Sequence, residues 1–177
     1  IGRAFGSVVL RKGLRKIFVG GDGRLSTPEL SAALISGLTA SGADVVDIGL
    51  CQTPMLYFAV FATPETAGVM VTASHNSKEY NGFKMLIDGA PFCGADIDAL
   101  GRMIDAGDFE SGAGSVRREG FLTRYVDRLL TGYNRDGRDL TVVWDCGNAT
   151  AGAVVPTLVK GLTGRHILLN ERIDGNF

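Results

Sequence analysis

A serine followed by a histidine and an asparagine, held in a polar loop between two apolar runs, is the part of this sequence best suited to chemistry. Gly68-Val69-Met70-Val71-Thr72 leads into Ala73-Ser74-His75-Asn76-Ser77, and Asn81-Gly82 turns the chain into Phe83–Ile87. Ligands of open α/β sheets bind beyond the carboxyl ends of strands, so a hydroxyl at Ser74 stands where a nucleophile is wanted. A Ser-His hydrolase pair is the obvious reading, but side chains adjacent in sequence are expected to diverge, whereas a general base must reach the hydroxyl. No Gly-x-Ser-x-Gly elbow surrounds Ser74 either. The plain alternative is that Ser, His and Asn satisfy a tight turn.

The elements that would carry this loop follow from hydrophobic periodicity. Ile1, Ala4, Phe5, Val8 and Val9 form a helical stripe with no capping residue before it, which reads as a helix cut into, and the C-terminus likewise reads as a cut. Ile17–Val19 is a strand opening into Gly20-Gly21-Asp22-Gly23-Arg24, and Ser26-Thr27-Pro28-Glu29 predicts a capping box for a helix up to Gly42. Val45–Ile48 is a second strand, and Thr53-Pro54 opens a short helix to about Phe61. Gly68–Thr72 and Phe83–Ile87 are the strands flanking the polar loop, and Asp96 to about Ala106 is a helix. The stretch from Asp105 to Gly120 is polar and glycine-bearing, as an exposed connection between domains would be. A helix over Phe121–Leu130, a strand over Leu140–Asp145, a helix near Ala153–Leu162 and a strand over His166–Leu169 then repeat the β-loop-α pattern. The expected fold class is therefore α/β: a three-layer α/β/α domain with a mixed, mostly parallel sheet over residues 1–119, then a linker helix and the start of a similar domain over 120–177.

Composition removes several function classes. Eighteen basic and nineteen acidic residues give a net charge of −1, which offers no field for nucleic acid or an anionic membrane. The longest uncharged run, Ile48 to Pro64, falls short of the roughly 20 apolar residues that span a bilayer. Cys51, Cys93 and Cys146 are odd in number and widely spaced, with neither a zinc spacing nor a disulfide framework, which fits a reducing cytoplasm. With 25 glycines in 177 residues, about twice ordinary usage and without a collagen period, the chain turns often.

The loop Thr72-Ala73-Ser74-His75-Asn76 with Tyr80-Asn81-Gly82-Phe83-Lys84 resembles the phosphoserine loop of the α-D-phosphohexomutases, the phosphomannomutase/phosphoglucomutase type. Asp22-Gly23-Arg24-Leu25-Ser26, Pro28-Glu29-Leu30, Asp47-Ile48-Gly49, Thr53-Pro54 and Asp145-Cys146-Gly147-Asn148 are similar to the family as well, as is Asp174-Gly175-Asn176-Phe177, so the likeness runs along nearly the whole chain. The resemblance implies an isomerase that interconverts hexose 1-phosphate and hexose 6-phosphate, of mannose or glucose, through a hexose 1,6-bisphosphate. It also implies that Ser74 carries the phosphoryl group and binds Mg2+ through it, while the other metal ligands and the sugar-recognising C-terminal domains lie outside this chain. A phosphoserine bears close to two negative charges, so cations must let a second phosphate approach. His75 and Lys84 are the implied sources of positive charge or proton transfer, Thr72 and Asn76 are loop supports, and Arg24 is either a brace for the loop or a surface arginine. The isolated fragment is expected to be inactive. Two positions depart from the family: Ser77 stands where Pro is usual, which predicts a more mobile loop, and Gly21 where Arg is common.

Other motifs point elsewhere more faintly. Gly21-x-Gly23-x-x-Ser26 with Asp47 suggests a dinucleotide fold but lacks its third glycine. A non-catalytic α/β binding module that keeps the loop is the remaining alternative. Arg11, Lys12, Arg15 and Lys16 read as a solvated helix end, and Asn148-Ala149-Thr150 as an unused glycosylation sequon.

Overall fold

In the computed structural model, which describes residues 1–176, the apolar runs alternate their side chains between two buried layers. Phe177, named in the last motif above, lies outside the described residues. The chain runs α1 (Gly2–Arg11), β1 (Lys16–Gly21), α2 (Thr27–Ser41), β2 (Asp44–Leu50), α3 (Thr53–Phe61), β3 (Thr66–Val71), β4 (Phe83–Ile87), β5 (Ala90–Phe92), α4 (Ala95–Asp105), β6 (Val116–Arg118) and α5 (Leu122–Leu130). These strands form one sheet in the order β5-β4-β3-β1-β2-β6, parallel except that β4 runs antiparallel to β3 and to β5. Period-two alternation sends Ile17, Val19, Val45, Val69 and Val71 to one face, under Phe5, Val9, Leu34, Leu38 and Leu100 of α1, α2 and α4. Phe18, Val46, Ile48, Met70 and Leu86 go to the other, under Leu56, Val60, Tyr125 and Val126 of α3 and α5. The expected three-layer α/β/α architecture, mixed and mostly parallel, is what these residues build. Gly2 and Gly37 let α1 and α2 approach closely, since a Cβ on Gly2 would lie 2.5 Å from the Leu34 carbonyl oxygen.

A second, two-stranded parallel sheet pairs β7 (Thr141–Asp145) with β8 (Arg165–Leu169). The helix expected near Ala153–Leu162 is broken into a 3-10 turn at Thr150–Ala153, a single helical turn α6 at Val155–Leu158 and a 3-10 turn at Val159–Gly161. Gly152, Pro156 and Gly161 punctuate that stretch, and Pro156 can open a turn but removes an N–H from any longer helix.

The polar stretch after α4 is more than an exposed connection. Its β6 extends the sheet beside β2, and Asp44 ties it down by accepting from the Ser115 N–H at 2.9 Å, the Ser115 hydroxyl at 2.7 Å and Arg15 at 2.7 Å. The Ser115 hydroxyl bond, with help from Arg15, pulls the Asp44 carboxyl down to about 2. Arg11 likewise bonds Asp108 and Glu110, so half of the basic cluster is paired. Among the described residues no helix is long and apolar enough to cross a membrane.

Candidate active site

The β1 strand connects to β2 on one side while β3 lies on its other side, which makes the crevice beyond the ends of β1 and β3 the switch point of the sheet. Asp22 continues β1 there with its N–H on the Val71 carbonyl at 3.0 Å, and Thr72 follows β3. The Thr72 N–H donates to the Gly82 carbonyl at 2.9 Å and closes the neck of a loop over residues 73–81. Ser74 sits in this loop at φ +60, the left-handed region that a residue with a Cβ enters at a cost.

Arg24 holds the loop in that shape. It is not a surface arginine: its side chain is 1 % exposed. A guanidinium has five N–H donors in a fixed plane. Here Nε donates to Asp22 Oδ2 at 3.0 Å, while the terminal nitrogens donate to the carbonyls of Ser74 at 3.1 Å, Asn76 at 2.7 Å, Ser77 at 2.6 Å and Tyr80 at 3.0 Å. The Asp22 carboxylate neutralises it and gathers more of the site. It accepts from the hydroxyls of Thr27 at 2.8 Å and Thr72 at 2.7 Å, and Thr72 Oγ1 in turn accepts the Ser74 N–H at 2.9 Å.

Asn81 donates to Ser26 Oγ at 3.0 Å and Thr27 Oγ1 at 2.9 Å. The capping box expected of Ser26 and Glu29 is therefore not formed: Ser26 makes no side-chain capping bond, and its hydroxyl serves the loop. Asn76 contributes its carbonyl, while its side chain is exposed.

The Ser74 hydroxyl lies 3.3 Å from His75 Nδ1. The expected divergence of these neighbours is corrected by the left-handed backbone at Ser74, which folds one side chain back toward the next. Both line a cavity of about 380 Å3 with Asp22, Thr72 and Gln52 of the first sheet's loops, Met70 of β3, Thr53 at the start of α3, and Ala149 and Thr150. Gln52 bridges the two sides by donating to the Thr150 carbonyl at 3.3 Å. Lys84 stands opposite Met70 in the β3–β4 register and so shares the cavity's face of the sheet; it is half-buried and has no side-chain hydrogen bond or ion pair among the described residues. Beneath the floor, Cys51 packs its sulfur 3.8 Å from that of Met70, and burial pushes its thiol up to about 12, so it offers no competing nucleophile near neutral pH. Ile173 packs on Gly23 of the glycine turn, whose Cβ would meet it at 2.6 Å.

The chain is matched by a family model described as phosphoglucomutase/phosphomannomutase, alpha/beta/alpha domain I, over residues 1–111, which include the clamped Ser74 loop. The chain belongs to that family. It is 42% identical, over its whole length, to a phosphomannomutase/phosphoglucomutase of Pseudomonas aeruginosa and 38% identical to a phosphoglucomutase of Neisseria gonorrhoeae. It covers 38% of the first of these and 39% of the second, so it spans about two fifths of the curated relatives' length. The crystal structure of a phosphoglucomutase/phosphomannomutase family protein from Burkholderia thailandensis superposes with a TM-score of 0.93 at 41% identity, over 99% of this chain and 40% of that one.

Asp22, Thr27 and Asn81 are the site residues that reasoning from residue types did not single out for a role. Asn81-Gly82 reads as a turn and Asp22 as part of a glycine-rich bend; only the placing of β1 beside β3 reveals that they share one network.

Proposed function

We propose that this chain carries the phosphoserine loop of a phosphohexomutase, the N-terminal part of an enzyme that interconverts hexose 1-phosphate and hexose 6-phosphate through a bisphosphorylated sugar. The observation that supports it most is the presentation of Ser74: an exposed hydroxyl on a left-handed turn whose carbonyls are gripped by a buried arginine. Phospho-Ser74 gives its phosphoryl to a hydroxyl of the bound monophosphate, the P–O bond to Ser74 Oγ breaking as the bond to the sugar oxygen forms. Ser74 Oγ then takes back the other phosphoryl from the reoriented bisphosphate. In each half the proton of the attacking hydroxyl ends on the oxygen that leaves phosphorus; Lys84 activates the sugar hydroxyl or neutralises the transferring phosphoryl, and His75 hydrogen-bonds the serine oxygen as charge develops there. Positioning and charge stabilisation supply the acceleration, since no covalent partner beyond the serine is needed.

The donors present fit a minor share in a magnesium site. Among the described residues no group of three His, Cys, Asp or Glu converges, and Asp22 is engaged by four donors, so an oxygen of phospho-Ser74 would be this chain's ligand. Magnesium bound there would neutralise charge on the transferring group. Three free cysteines support a reducing, cytoplasmic setting.

Intact-mass analysis after treatment with hexose 1,6-bisphosphate tests the reading. One phosphoryl group is expected on the parent protein and none on Ser74→Ala; full mutase turnover in Ser74→Ala would end it. The isolated 177-residue chain is expected to show no turnover.

A further inference from the structure

Four hydrogen bonds converge on one carboxylate beneath the Ser74 loop. Asp22 Oδ1 accepts from the Arg24 main-chain N–H at 3.1 Å and the Thr27 hydroxyl at 2.8 Å; Oδ2 accepts from Arg24 Nε at 3.0 Å and the Thr72 hydroxyl at 2.7 Å. An ionised carboxylate can only accept, so the single hydroxyl proton of Thr72 points at Asp22. The lone pairs of Thr72 Oγ1 are then left for the Ser74 N–H, which donates to them at 2.9 Å. The chain of bonds has one direction, from the Ser74 amide through the Thr72 hydroxyl to Asp22.

From this we infer that Asp22 is a positioning residue for phosphoryl transfer at Ser74, acting through Thr72; the inference rests on Ser74 being the phosphoryl carrier. Ser74 is held at φ +60, a conformation that persists only when its surroundings over-determine it. The Asp22–Thr72 chain fixes the peptide on its amino side, and Arg24 fixes the one on its carboxyl side by gripping the Ser74 carbonyl. With both peptide planes fixed, the Cα–Cβ bond has one direction, and Oγ is delivered to the cavity it shares with His75. Reaction rates fall steeply with misplacement of this kind, because alignment of the attacking and leaving atoms is most of what such a site contributes.

The test uses the natural full-length protein, hexose 1,6-bisphosphate as phosphoryl donor, and three variants. Asp22→Asn keeps the shape but places a donor group among donors, Thr72→Val removes the hydroxyl while leaving the Asp22–Arg24 pair intact, and Thr72→Ser keeps the hydroxyl. In Asp22→Asn and Thr72→Val, exchange of the Ser74 amide proton with solvent speeds up roughly tenfold, the factor set by one ordinary hydrogen bond. Single-turnover phosphorylation of Ser74 at saturating bisphosphate slows by about tenfold to a hundredfold, with the half-saturating concentration unchanged. Thr72→Ser stays close to the parent in both. Parent-like Ser74 exchange in folded Thr72→Val, or Thr72→Ser as slow as Thr72→Val, overturns the role given to Asp22. A parent protein that takes up no phosphoryl overturns the carrier assignment instead, and amide exchange still decides whether Asp22 holds Ser74.

Discussion

At the ends of β1 and β7 the chain makes the same small turn, an aspartate whose carboxylate accepts the main-chain N–H two residues on. Asp22 takes that of Arg24 at 3.1 Å, and Asp145 that of Gly147 at 2.9 Å. What surrounds the two turns differs. The Asp22 side chain is 13 % exposed and serves Arg24, Thr27 and Thr72, ahead of the unbroken helix α2. Asp145 is exposed, accepts one further bond among the described residues, from Asn170 at 2.9 Å, and precedes the broken stretch around α6. The turn itself is local chemistry that any Asx residue can make. It positions a reactive group only where burial multiplies the bonds that converge on it.

The largest expected difference comes from Arg24→Ala, which leaves the Asp22 carboxylate buried without its cation. Urea unfolding should show a loss of about 3–5 kcal/mol; a loss below about 1 kcal/mol would erase the contrast between the two turns. Gly152→Ala probes the second turn's surroundings. A Cβ there would sit 1.9 Å from the Glu171 carbonyl oxygen, so main chain must move, and a loss of about 1–3 kcal/mol is expected. An unaltered midpoint would mean that this stretch is more loosely packed than its contacts suggest. Ser77→Pro restores a fixed φ to the first loop and removes no main-chain bond of the described residues, while it removes the hydroxyl that bonds the exposed Glu79, so a gain of at most about 0.4–1 kcal/mol is expected by the same measurement.

The smallest effect is in acid. The side-chain bond from Asn170, then the Gly147 N–H, holds the Asp145 carboxyl below its ordinary value. A lowered folded value means that its contribution is complete above the unfolded value of about 3.9 and is lost as pH falls through the lowered one. Exchange of the Gly147 amide should therefore quicken only below about pH 4, and Asp145→Ala should show that faster exchange at every pH with little change in global stability.

The layers of the first sheet were legible in the sequence because alternation is a local signal: Ile17 and Val19 face one way and Phe18 the other, and Thr53-Pro54 marks where α3 begins. The strands β5 and β6 were not legible. Each has three residues, and all of Val116–Arg118 are exposed, so β6 is held by main-chain pairing with β2 and by the Ser115–Asp44 bonds beside it rather than by an apolar pattern. Ser74, His75 and Lys84 stood out by type and motif; Ser74 and His75 line the cavity, and the β3–β4 register sets Lys84 opposite Met70, which lines it too. The burial of Arg24 could not be read, because its distant partners are carbonyl oxygens 50 to 56 residues downstream, and a carbonyl has no residue type. The loop mobility expected from Ser77 in place of proline meets an opposing grip, since Arg24 holds the Ser77 carbonyl directly.

Closure of residues 73–81 by the Thr72–Gly82 main-chain bond, with a guanidinium that grips four of the loop's carbonyls, sets the contour of the loop through main-chain groups. Such a segment behaves as a cassette. The exposed side chains at 76 and 78 can be exchanged while the contour that presents Ser74 and His75 is kept.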